Sequence, residues 1–303
     1  MVHSFCKGCD FLKIVLEANA KINLLLDVTG VKENGYHSLF TVMQSVGLSD
    51  TVTVKTTASG EITVSCSDPS IPTDKSNIVY KCAELFFDEM DIENRGVHIS
   101  IEKRIPSQAG LGGGSADGAA VLVALNEMFA AGLTERELCR LGGKIGADIP
   151  FCIVGGTALA LDIGTVVAPL PDLRECCIVI VKPSSNVNTA EAYAALDAIE
   201  LKHPKNTAML DALVSGDFET AMKYCANVFE QAVDVGGRVD IKDIMLKSGC
   251  FAACMSGSGS AVFGIFDHIT NADECSDALE DRFDDIFVCE PKNYGVKIIK
   301  EAE

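Results

Sequence analysis

A glycine-rich stretch at residues 106–117, P-S-Q-A-G-L-G-G-G-S-A-D, constrains the fold of this chain more than any other segment. The alternating apolar and polar residues from Val97 to Arg104 before it predict a β-strand. The apolar, alanine-rich run from Ser115 to Phe129 after it predicts a buried helix. The first N–H groups of a helix lack partners, and glycines let the backbone approach a phosphate closely. This stretch, called the glycine-rich loop below, therefore predicts a binding site for an anion.

The glycine-rich loop differs from the two commonest phosphate-binding loops. No G-K-[ST] follows it, so the lysine of a Walker loop is missing. Ser115 stands where the G-x-G-x-x-G fingerprint has its third glycine. A flexible glycine-rich connection is the alternative interpretation. If the loop does bind a phosphate, the sequence predicts that it does so on a different scaffold.

Composition narrows the class of protein. With 303 residues, 48% hydrophobic and 22% charged, the chain is long enough for about two folded domains. Its net charge of −18 argues against nucleic acid and anionic membranes as partners, because both need clustered Lys and Arg. No apolar run approaches the ~18 residues of a membrane span, and the first residues lack the apolar core of a signal peptide. We therefore expect a cytoplasmic protein.

The cysteines indicate a reducing compartment. Most of the thirteen lie in apolar segments, where free thiols behave as small buried hydrophobic groups. Cys6 and Cys9 have the spacing of a metal-binding or redox pair, but a zinc site needs a second such pair and the sequence has none. We therefore predict no metal ion bound by protein side chains.

The pattern of the elements indicates an α+β fold in two domains. Two early strands are predicted at Phe11–Glu17 and from Ala20 onward, within a β-rich first half. The second half alternates apolar strands with helices, as in an α/β sandwich with its helices on one side. The proline-containing segment Pro169–Leu173 is the most linker-like. The predicted domains are residues 1–168 and 169–303.

Two candidate sites lie near the beginning of the chain. In the strand A-K-I-N-L-L-L-D-V, Lys21 and Asn23 share one face. Position alone favours a solvated lysine at a strand edge. After the hairpin signal Asn34-Gly35, Tyr36 and His37 form an aromatic pair, for which a core tyrosine and a surface histidine are the alternative.

Two further candidates lie later in the chain. Asp148, in G-A-D-I-P-F, stands in a tight segment before Pro150, and a common Asx-turn is the alternative explanation for its carboxylate. The serine- and glycine-rich segment Ser256–Ser260 connects two predicted strands. A plain hairpin turn is the alternative there.

Three of these segments together resemble the GHMP kinase superfamily. They are A-K-I-N, P-x-x-x-G-L-G-G-G-S and S-G-S-G-S, and they occur in the family's order over nearly the whole chain. A-K-I-N-L-L-L-D-V-T-G, G-Y-H at residues 35–37 and G-A-D-I-P-F resemble one branch in particular. Its members use ATP to phosphorylate the 2-hydroxyl of 4-CDP-2-C-methyl-D-erythritol in the non-mevalonate isoprenoid pathway. A kinase for another alcohol, such as mevalonate or homoserine, and a non-catalytic ligand sensor are the alternatives.

The resemblance implies an architecture and a set of ligands. The first domain is expected to resemble domain 2 of ribosomal protein S5, and the second to be ferredoxin-like. ATP and the cytidylyl substrate would bind between them, with Mg²⁺ held by phosphates and water. The protein would act as a monomer or a weak homodimer. Gly118 departs from the family, where alanine is usual, and we expect it to loosen the start of the helix by up to ~1 kcal/mol.

The resemblance also implies roles for individual residues. Asp148 would be the general base on the 2-hydroxyl, with Lys21 beside it steadying the transferred phosphoryl group. Tyr36 would stack on cytosine and His37 would bind its polar edge, with Asn23 and Tyr193 as further substrate contacts. The Ser256, Gly257, Ser258 and Gly259 segment would lie near the phosphates. The expected ATP-binding residues are Pro106, Ser107, Gln108, Ala109, Gly110, Leu111, Gly112, Gly113, Gly114, Ser115 and Ala116.

Overall fold

The architecture comes from a computed structural model, which describes residues 12–302 of the chain and the side chains of residues 12–300. Cys6 and Cys9, the predicted metal-type or redox pair, lie outside the described residues. Within the described part, no helix is both long and apolar enough to span a membrane.

The first half of the chain is rich in strands, as the sequence predicted. Its elements are β1 (Lys13–Val31), β2 (His37–Thr56), β3 (Ile62–Cys66), α1 (Ile78–Glu89), β4 (Val97–Glu102), α2 (Gly113–Met128), α3 (Glu135–Gly142), α4 (Ile149–Val154), β5 (Thr157–Asp162) and β6 (Val166–Pro169). Helix α3 begins with a capping box, in which the Thr134 hydroxyl accepts from the Glu137 backbone N–H and the Glu137 carboxylate accepts from the Thr134 backbone N–H.

The second half alternates strands and helices. Its elements are β7 (Cys177–Lys182), α5 (Thr189–Asp197), α6 (Asn206–Ser215), α7 (Phe218–Lys223), β8 (Ala226–Asn227), α8 (Arg238–Lys247), β9 (Ala252–Met255), β10 (Val262–Phe266), α9 (Ile269–Glu280), β11 (Asp285–Cys289), β12 (Pro291–Lys292) and β13 (Val296–Ala302). The predicted segment between the domains, Pro169–Leu173, begins at the last residue of β6 and precedes β7.

One expectation about the elements was wrong. The two predicted early strands are one strand, β1, because a bulge between Asn19 and Lys21 shifts its register and interrupts the alternation. Helix α7 ends at Lys223, and Ala226–Asn227 form β8 and pair with β1. Helix α4 was not predicted, yet Pro150 fits its first turn, where no backbone N–H is needed.

The larger sheet carries the core of the first half. Its main order is β13-β1-β2-β4-β3, with β5, β8 and β12 pairing at the sides of β1 and β2 and β6 beyond β5. The buried residues of β2 and β4 pack against α1 and α2. This core includes Val52, Val54, Ile99, Ile101, Phe86, Phe87, Leu122 and Leu125. It holds the strand before the glycine-rich loop and the helix after it in a fixed position.

The smaller sheet is antiparallel, in the order β11-β7-β10-β9. Helices α8 and α9 cover one face through Ile241, Met245 and Leu279. The other face shares a core with β1, where Ile22 and Leu24 lie in the same cluster as Ile180 and Phe263. The two sheets therefore meet at β1, the strand that carries Lys21.

The end of the chain returns to the larger sheet. Strand β12 pairs with β2, and β13 pairs antiparallel with β1 over most of its length. Asn19 makes a further hydrogen bond there, in which its backbone N–H donates to the Gly295 carbonyl at 2.9 Å. Strand β1 is thus bonded on both sides and lies in the interior of the sheet.

Candidate active site

The backbone of the glycine-rich loop has a shape that only glycine adopts readily. Gly110 and Gly112 have φ angles of 75° and 72°, in the left-handed region. A Cβ atom on Gly110 would lie 2.1 Å from the Ser256 carbonyl oxygen, and one on Gly112 would lie 3.0 Å from Lys21 Cγ. The glycines are therefore required by close packing, and the flexible-connection interpretation does not describe this loop.

Helix α2 begins two residues earlier than the sequence predicted. Its first intrahelical bond runs from the Ala116 N–H to the Gly112 carbonyl at 2.9 Å. The N–H groups of Gly113, Gly114 and Ser115 come before that bond and have no partner inside the helix. These donors and the helix dipole favour an anion at this position.

Lys21 connects the glycine-rich loop to Asp148. Its backbone N–H donates to the Leu111 carbonyl at 2.9 Å, and its ammonium group donates to Asn23 Oδ1 at 2.7 Å. The Lys21 Nζ lies 3.7 Å from Asp148 Oδ2. Lys21 is only 4% exposed, so it is not the solvated lysine at a strand edge that its position alone favoured. The bulge at Asn19 and the pairing of β1 on both sides explain this burial.

Asp148 is the residue before α4 and is partly open. Among the described residues, its carboxylate accepts no capping hydrogen bond from that helix. Its side chain is 37% exposed beside the buried Lys21 ammonium. A carboxylate with one cationic neighbour and solvent access has the properties of a proton acceptor for a bound hydroxyl group.

The serine- and glycine-rich segment contacts both earlier motifs. The Ser256 hydroxyl donates to the Gly110 carbonyl at 2.9 Å, and the Gly257 N–H donates to Asn23 Oδ1 at 2.9 Å. Asn23 also donates to the Thr41 hydroxyl at 2.8 Å. The segment does connect β9 and β10 as the plain hairpin would, but its turn packs on the glycine-rich loop. The Asn23 amide is engaged by protein groups on both of its polar atoms.

The aromatic residues form a second cluster. The His37 ring stacks on Tyr193 with centroids 4.4 Å apart and planes 23° from parallel, and Tyr193 meets the edge of Phe229. His37 Nε2 lies 2.8 Å from Asp197 Oδ1. Tyr36, next in the chain, is 60% exposed and does not lie in the core.

The aromatic cluster lies close enough to Asp148 to respond to its charge. Burial, with a contribution from the Asp148 carboxylate, raises the pKa of Tyr193 to about 12. The tyrosine is therefore neutral near pH 7. One ring that was predicted to bind the base therefore lies within the electrostatic influence of Asp148.

A cavity of about 510 Å³ opens along the glycine-rich loop. The loop residues from Pro106 to Ser115 form one wall, and Ile71, Pro72 and Ile78 give another part an apolar lining. The lining therefore combines the glycine-rich loop where α2 begins with an apolar part at Ile71, Pro72 and Ile78. These properties fit a ligand that carries both phosphates and a flat base, as ATP does.

Sequence reasoning missed several residues of this cavity. Asn77 caps α1, accepting a hydrogen bond from the Val79 N–H at 2.9 Å, and Lys103 and Asp117 line the wall near α2. Nothing in the sequence of α1 places the start of this helix beside the glycine-rich loop. Lys103 and Asp117 are separated by fourteen positions, and only the packing of β4 against α2 brings them together.

The packing of α1 against α2 explains why glycine occupies position 118. A Cβ atom at this position would lie 2.9 Å from Ile78 Cγ2 and 3.0 Å from Cys82 Sγ. Helices α1 and α2 therefore approach each other closely at Gly118, and the missing methyl group permits this contact.

Comparison with known proteins identifies the class. The family model for the N-terminal domain of GHMP kinases matches residues 77–156, and the model for the C-terminal domain matches residues 209–285. The matched ranges contain the glycine-rich loop, Asp148 and the Ser256–Gly259 segment. The chain belongs to the GHMP kinase family, as the resemblance predicted.

Relatives within this class carry a more specific name. A 4-diphosphocytidyl-2-C-methyl-D-erythritol kinase of Clostridium botulinum (strain Alaska E43 / Type E3) is 40% identical over 276 residues, which cover 90% of this chain and 98% of the relative. The enzyme of the same name from Clostridium novyi (strain NT) is 38% identical over 274 residues, which cover 89% and 97%.

Solved structures agree with the relatives. A crystal structure of 4-(cytidine 5'-diphospho)-2C-methyl-D-erythritol kinase matches with a TM-score of 0.74 at 30% identity, covering 92% of this chain and 99% of the other. A homoserine kinase from Cytophaga hutchinsonii matches with a TM-score of 0.76 at 20% identity, covering 98% and 99%. At that identity the second likeness concerns the fold alone.

Proposed function

We propose that this protein transfers the γ-phosphate of ATP to the 2-hydroxyl of 4-CDP-2-C-methyl-D-erythritol, a step of the non-mevalonate isoprenoid pathway. The observation that carries the proposal is the contact of Lys21 and Asp148 beside the glycine-rich loop, with the aromatic cluster next to them. Relatives that span the same length carry the corresponding name.

In the proposed reaction, protein groups position the reactants and balance charge. Asp148 accepts the proton of the 2-hydroxyl, whose oxygen forms a bond to the γ-phosphorus as the bond from that phosphorus to the bridging oxygen of ADP breaks. Lys21 lies beside Asp148 and stabilises the negative charge of the transferred phosphoryl group. The N–H groups at the start of α2 hold the phosphates of ATP.

The proposed nucleotide site uses the cavity described above. The phosphates would contact the backbone from Gly110 to Ser115, and the adenine would occupy the apolar part near Ile71 and Ile78. Close-packed glycines and N–H groups without a partner inside α2 support this placement. Mg²⁺, which shields phosphate charge in such reactions, would be held by the ATP phosphates and water.

The proposed cytidine site lies at the aromatic cluster. Tyr36 would stack on one face of the cytosine and Tyr193 on the other, while His37 would bind the polar edge of the base. In the structure the His37 ring covers one face of Tyr193. Stacking of cytosine on that face therefore requires His37 to turn away, which ends its contact with Asp197.

The finer fold assignments are part of the proposal. A ferredoxin-like domain is supported by the order β7, α8, β9, β10, α9, β11, with α5 to α7 and β8 inserted after β7, and by the strand order β11-β7-β10-β9. We propose the S5-like domain at residues 1–168 and the ferredoxin-like domain at residues 169–303. The last two strands of the second domain then complete the sheet of the first.

We also propose a monomer or weak homodimer located in the cytoplasm. The cysteines in the described residues are free thiols, which is typical of proteins in a reducing compartment. Sedimentation of the purified protein would test the oligomeric state.

The function is tested by the dependence of ADP release on substrate. The purified protein is incubated with ATP and Mg²⁺ and with the cytidylyl alcohol, mevalonate or homoserine in turn. Of the three alcohols, we expect only the cytidylyl alcohol to cause ADP release. A new phosphomonoester at its 2-position should then appear in the ³¹P NMR spectrum. ADP release with mevalonate or homoserine instead would show that the protein is a kinase for another alcohol. If none of the three alcohols causes ADP release, the non-catalytic ligand sensor is the remaining alternative.

A further inference from the structure

Lys103, directly after β4, belongs to a group of charges that the proposed reaction does not use. Its side chain is 8% exposed, and its ammonium group donates to Asp117 Oδ2 at 2.8 Å and to the Asp50 carboxylate. Both carboxylate side chains are almost completely buried. We call Asp50, Lys103 and Asp117 the buried ion-pair cluster.

The cluster joins the two ends of the glycine-rich loop. At the entrance of the loop, Asp50 Oδ1 accepts hydrogen bonds from the backbone N–H groups of Arg104 at 2.6 Å and Ile105 at 2.9 Å. At its exit, Asp117 lies in the second turn of α2. Lys103 bridges the two carboxylates, so β2, the entrance and the exit are held in one arrangement.

Lys103 also contacts the part of the loop that faces the cavity. A Cβ atom on Gly113 would lie 3.2 Å from Lys103 Nζ, just as one on Gly112 would lie 3.0 Å from Lys21 Cγ. Two buried lysines thus pack against successive glycines. The Lys21 ammonium group lies beside Asp148, whereas Lys103 lines the cavity itself.

Stability alone does not account for the cluster. It places two carboxylates and one ammonium group out of water, and apolar residues of similar size are often equally or more stable in such positions. Burial, together with the Asp50 carboxylate and against the Lys103 charge, raises the pKa of Asp117 to about 7. Within the described residues, Asp117 Oδ1 has no hydrogen-bond partner. A costly arrangement of this kind fixes geometry, because charged partners accept few alternative positions.

We propose that Lys103 is a positioning residue for the phosphates of ATP, acting through the glycine-rich loop. By joining the entrance of the loop to α2, it keeps the N–H groups of Gly113 to Ser115 pointed into the cavity before ATP arrives. Donors that are already ordered need not be ordered on binding, which increases affinity for the group they contact. This inference rests on the proposed binding of ATP at the loop.

The test compares ligands with and without phosphates. Dissociation constants of a non-hydrolysable ATP analogue and of adenosine are measured by displacement of a fluorescent nucleotide. Lys103→Met and Asp117→Leu both remove the ion pair that joins the entrance of the loop to α2. In each variant we expect the dissociation constant of the ATP analogue to rise by about tenfold or more. Adenosine, which lacks phosphates, should keep its affinity. Lys144→Met makes the same chemical change at a partly exposed lysine paired with Glu89, away from the cavity, and is the control.

Two further variants separate positioning from stability. The conservative variant Asp117→Asn retains an oxygen acceptor for Lys103 and should recover most of the affinity lost in Asp117→Leu. The double variant Lys103→Met with Asp117→Leu replaces the buried pair by apolar groups and should recover thermal stability. Its affinity for the ATP analogue should stay low. If Lys103→Met does not fold, the affinities of the double variant for the ATP analogue and for adenosine test the inference instead.

The outcomes are distinguishable. The inference is overturned if the folded variants bind the ATP analogue as tightly as the wild type, or if the analogue and adenosine weaken by the same factor. A wild-type protein that binds neither ligand would instead overturn the proposed nucleotide site, and this inference with it.

Discussion

The two ends of the candidate site are built in different ways. At the phosphate end, Lys21 is 4% exposed, and Asn23 and Gly257 join the two sheets around it through hydrogen bonds. At the base end, Tyr36 is 60% exposed, and the contacts of His37 are a ring stack and one carboxylate on the surface helix α5. The phosphate end is fixed by the core, whereas the base end combines the exposed Tyr36 with the partly buried rings of His37 and Tyr193.

This difference follows from what each end has to do. Phosphoryl transfer needs charges and N–H groups in fixed positions, because only preorganised groups stabilise charge without a cost at the moment of reaction. Recognition of a neutral base needs flat rings and a few hydrogen bonds rather than charges in fixed positions. Changes at the phosphate end should therefore reduce turnover or stability, and changes at the base end should reduce affinity for one substrate.

The largest effect is expected at Asp148. Asp148→Asn removes the proton acceptor and preserves the shape of the side chain, so turnover should fall by about 10²–10⁴-fold. Binding of the ATP analogue should be retained. Steady-state assays and calorimetry measure the two quantities. Turnover near that of the wild type would remove Asp148 from the role of general base.

The next effect concerns the shape of the loop. Gly110→Ala places a methyl group against the Ser256 carbonyl at a left-handed φ, and should cost about 2–5 kcal/mol of unfolding free energy. Gly132→Ala is the matched control, because Gly132 has a φ of 68° and no neighbour within 4 Å of the added atom. It should cost only about 1–2 kcal/mol, from backbone strain. Equal losses in denaturant unfolding would show that the contact with Ser256 is not tight.

A smaller and selective effect is expected at the base end. Tyr36→Ala should raise KM for the cytidylyl substrate by about 5- to 50-fold, since one aromatic stack with a base is lost. KM for ATP and the melting temperature should stay near those of the wild type, because Tyr36 is exposed. An equal rise in KM for both substrates would mean that Tyr36 has a structural role and that the two ends of the site do not act independently.

The smallest effect is a dependence of stability on pH at the phosphate end. Burial raises the pKa of Asp117 to about 7, above the value of about 3.9 in unfolded chains. The folded state therefore binds more protons between these values. The contribution of Asp117 to stability is complete below about pH 3.9 and is lost as the pH rises through about 7.

Asp117→Asn removes that titration. The melting temperature of Asp117→Asn minus that of the wild type should increase as the pH is raised from about 6 to about 8.5. Differential scanning calorimetry at several pH values measures the difference. A constant difference across this range would show that Asp117 does not titrate there.

Much of the phosphate end could be predicted from the sequence. The strand, the glycines and the helix after them follow one another in the chain, so local patterns indicated the loop and its preference for anions. The family resemblance added Asp148 and the role of Lys21, whose position alone favoured a solvated residue. The burial of Lys21 could not be predicted, because it depends on a bulge and on strands that pair with β1 from far along the chain.

The sequence by itself determined the elements and the class of chemistry, since helix caps, glycine conformations and hydrophobic periods depend on neighbouring residues. Tertiary structure alone decided which side chains meet. Asp50, Lys103 and Asp117 come from a strand, the residue after another strand and a helix, and the return of β13 to β1 joins opposite ends of the chain. Contacts of that kind follow from the packing of whole elements, which no local pattern in the sequence contains.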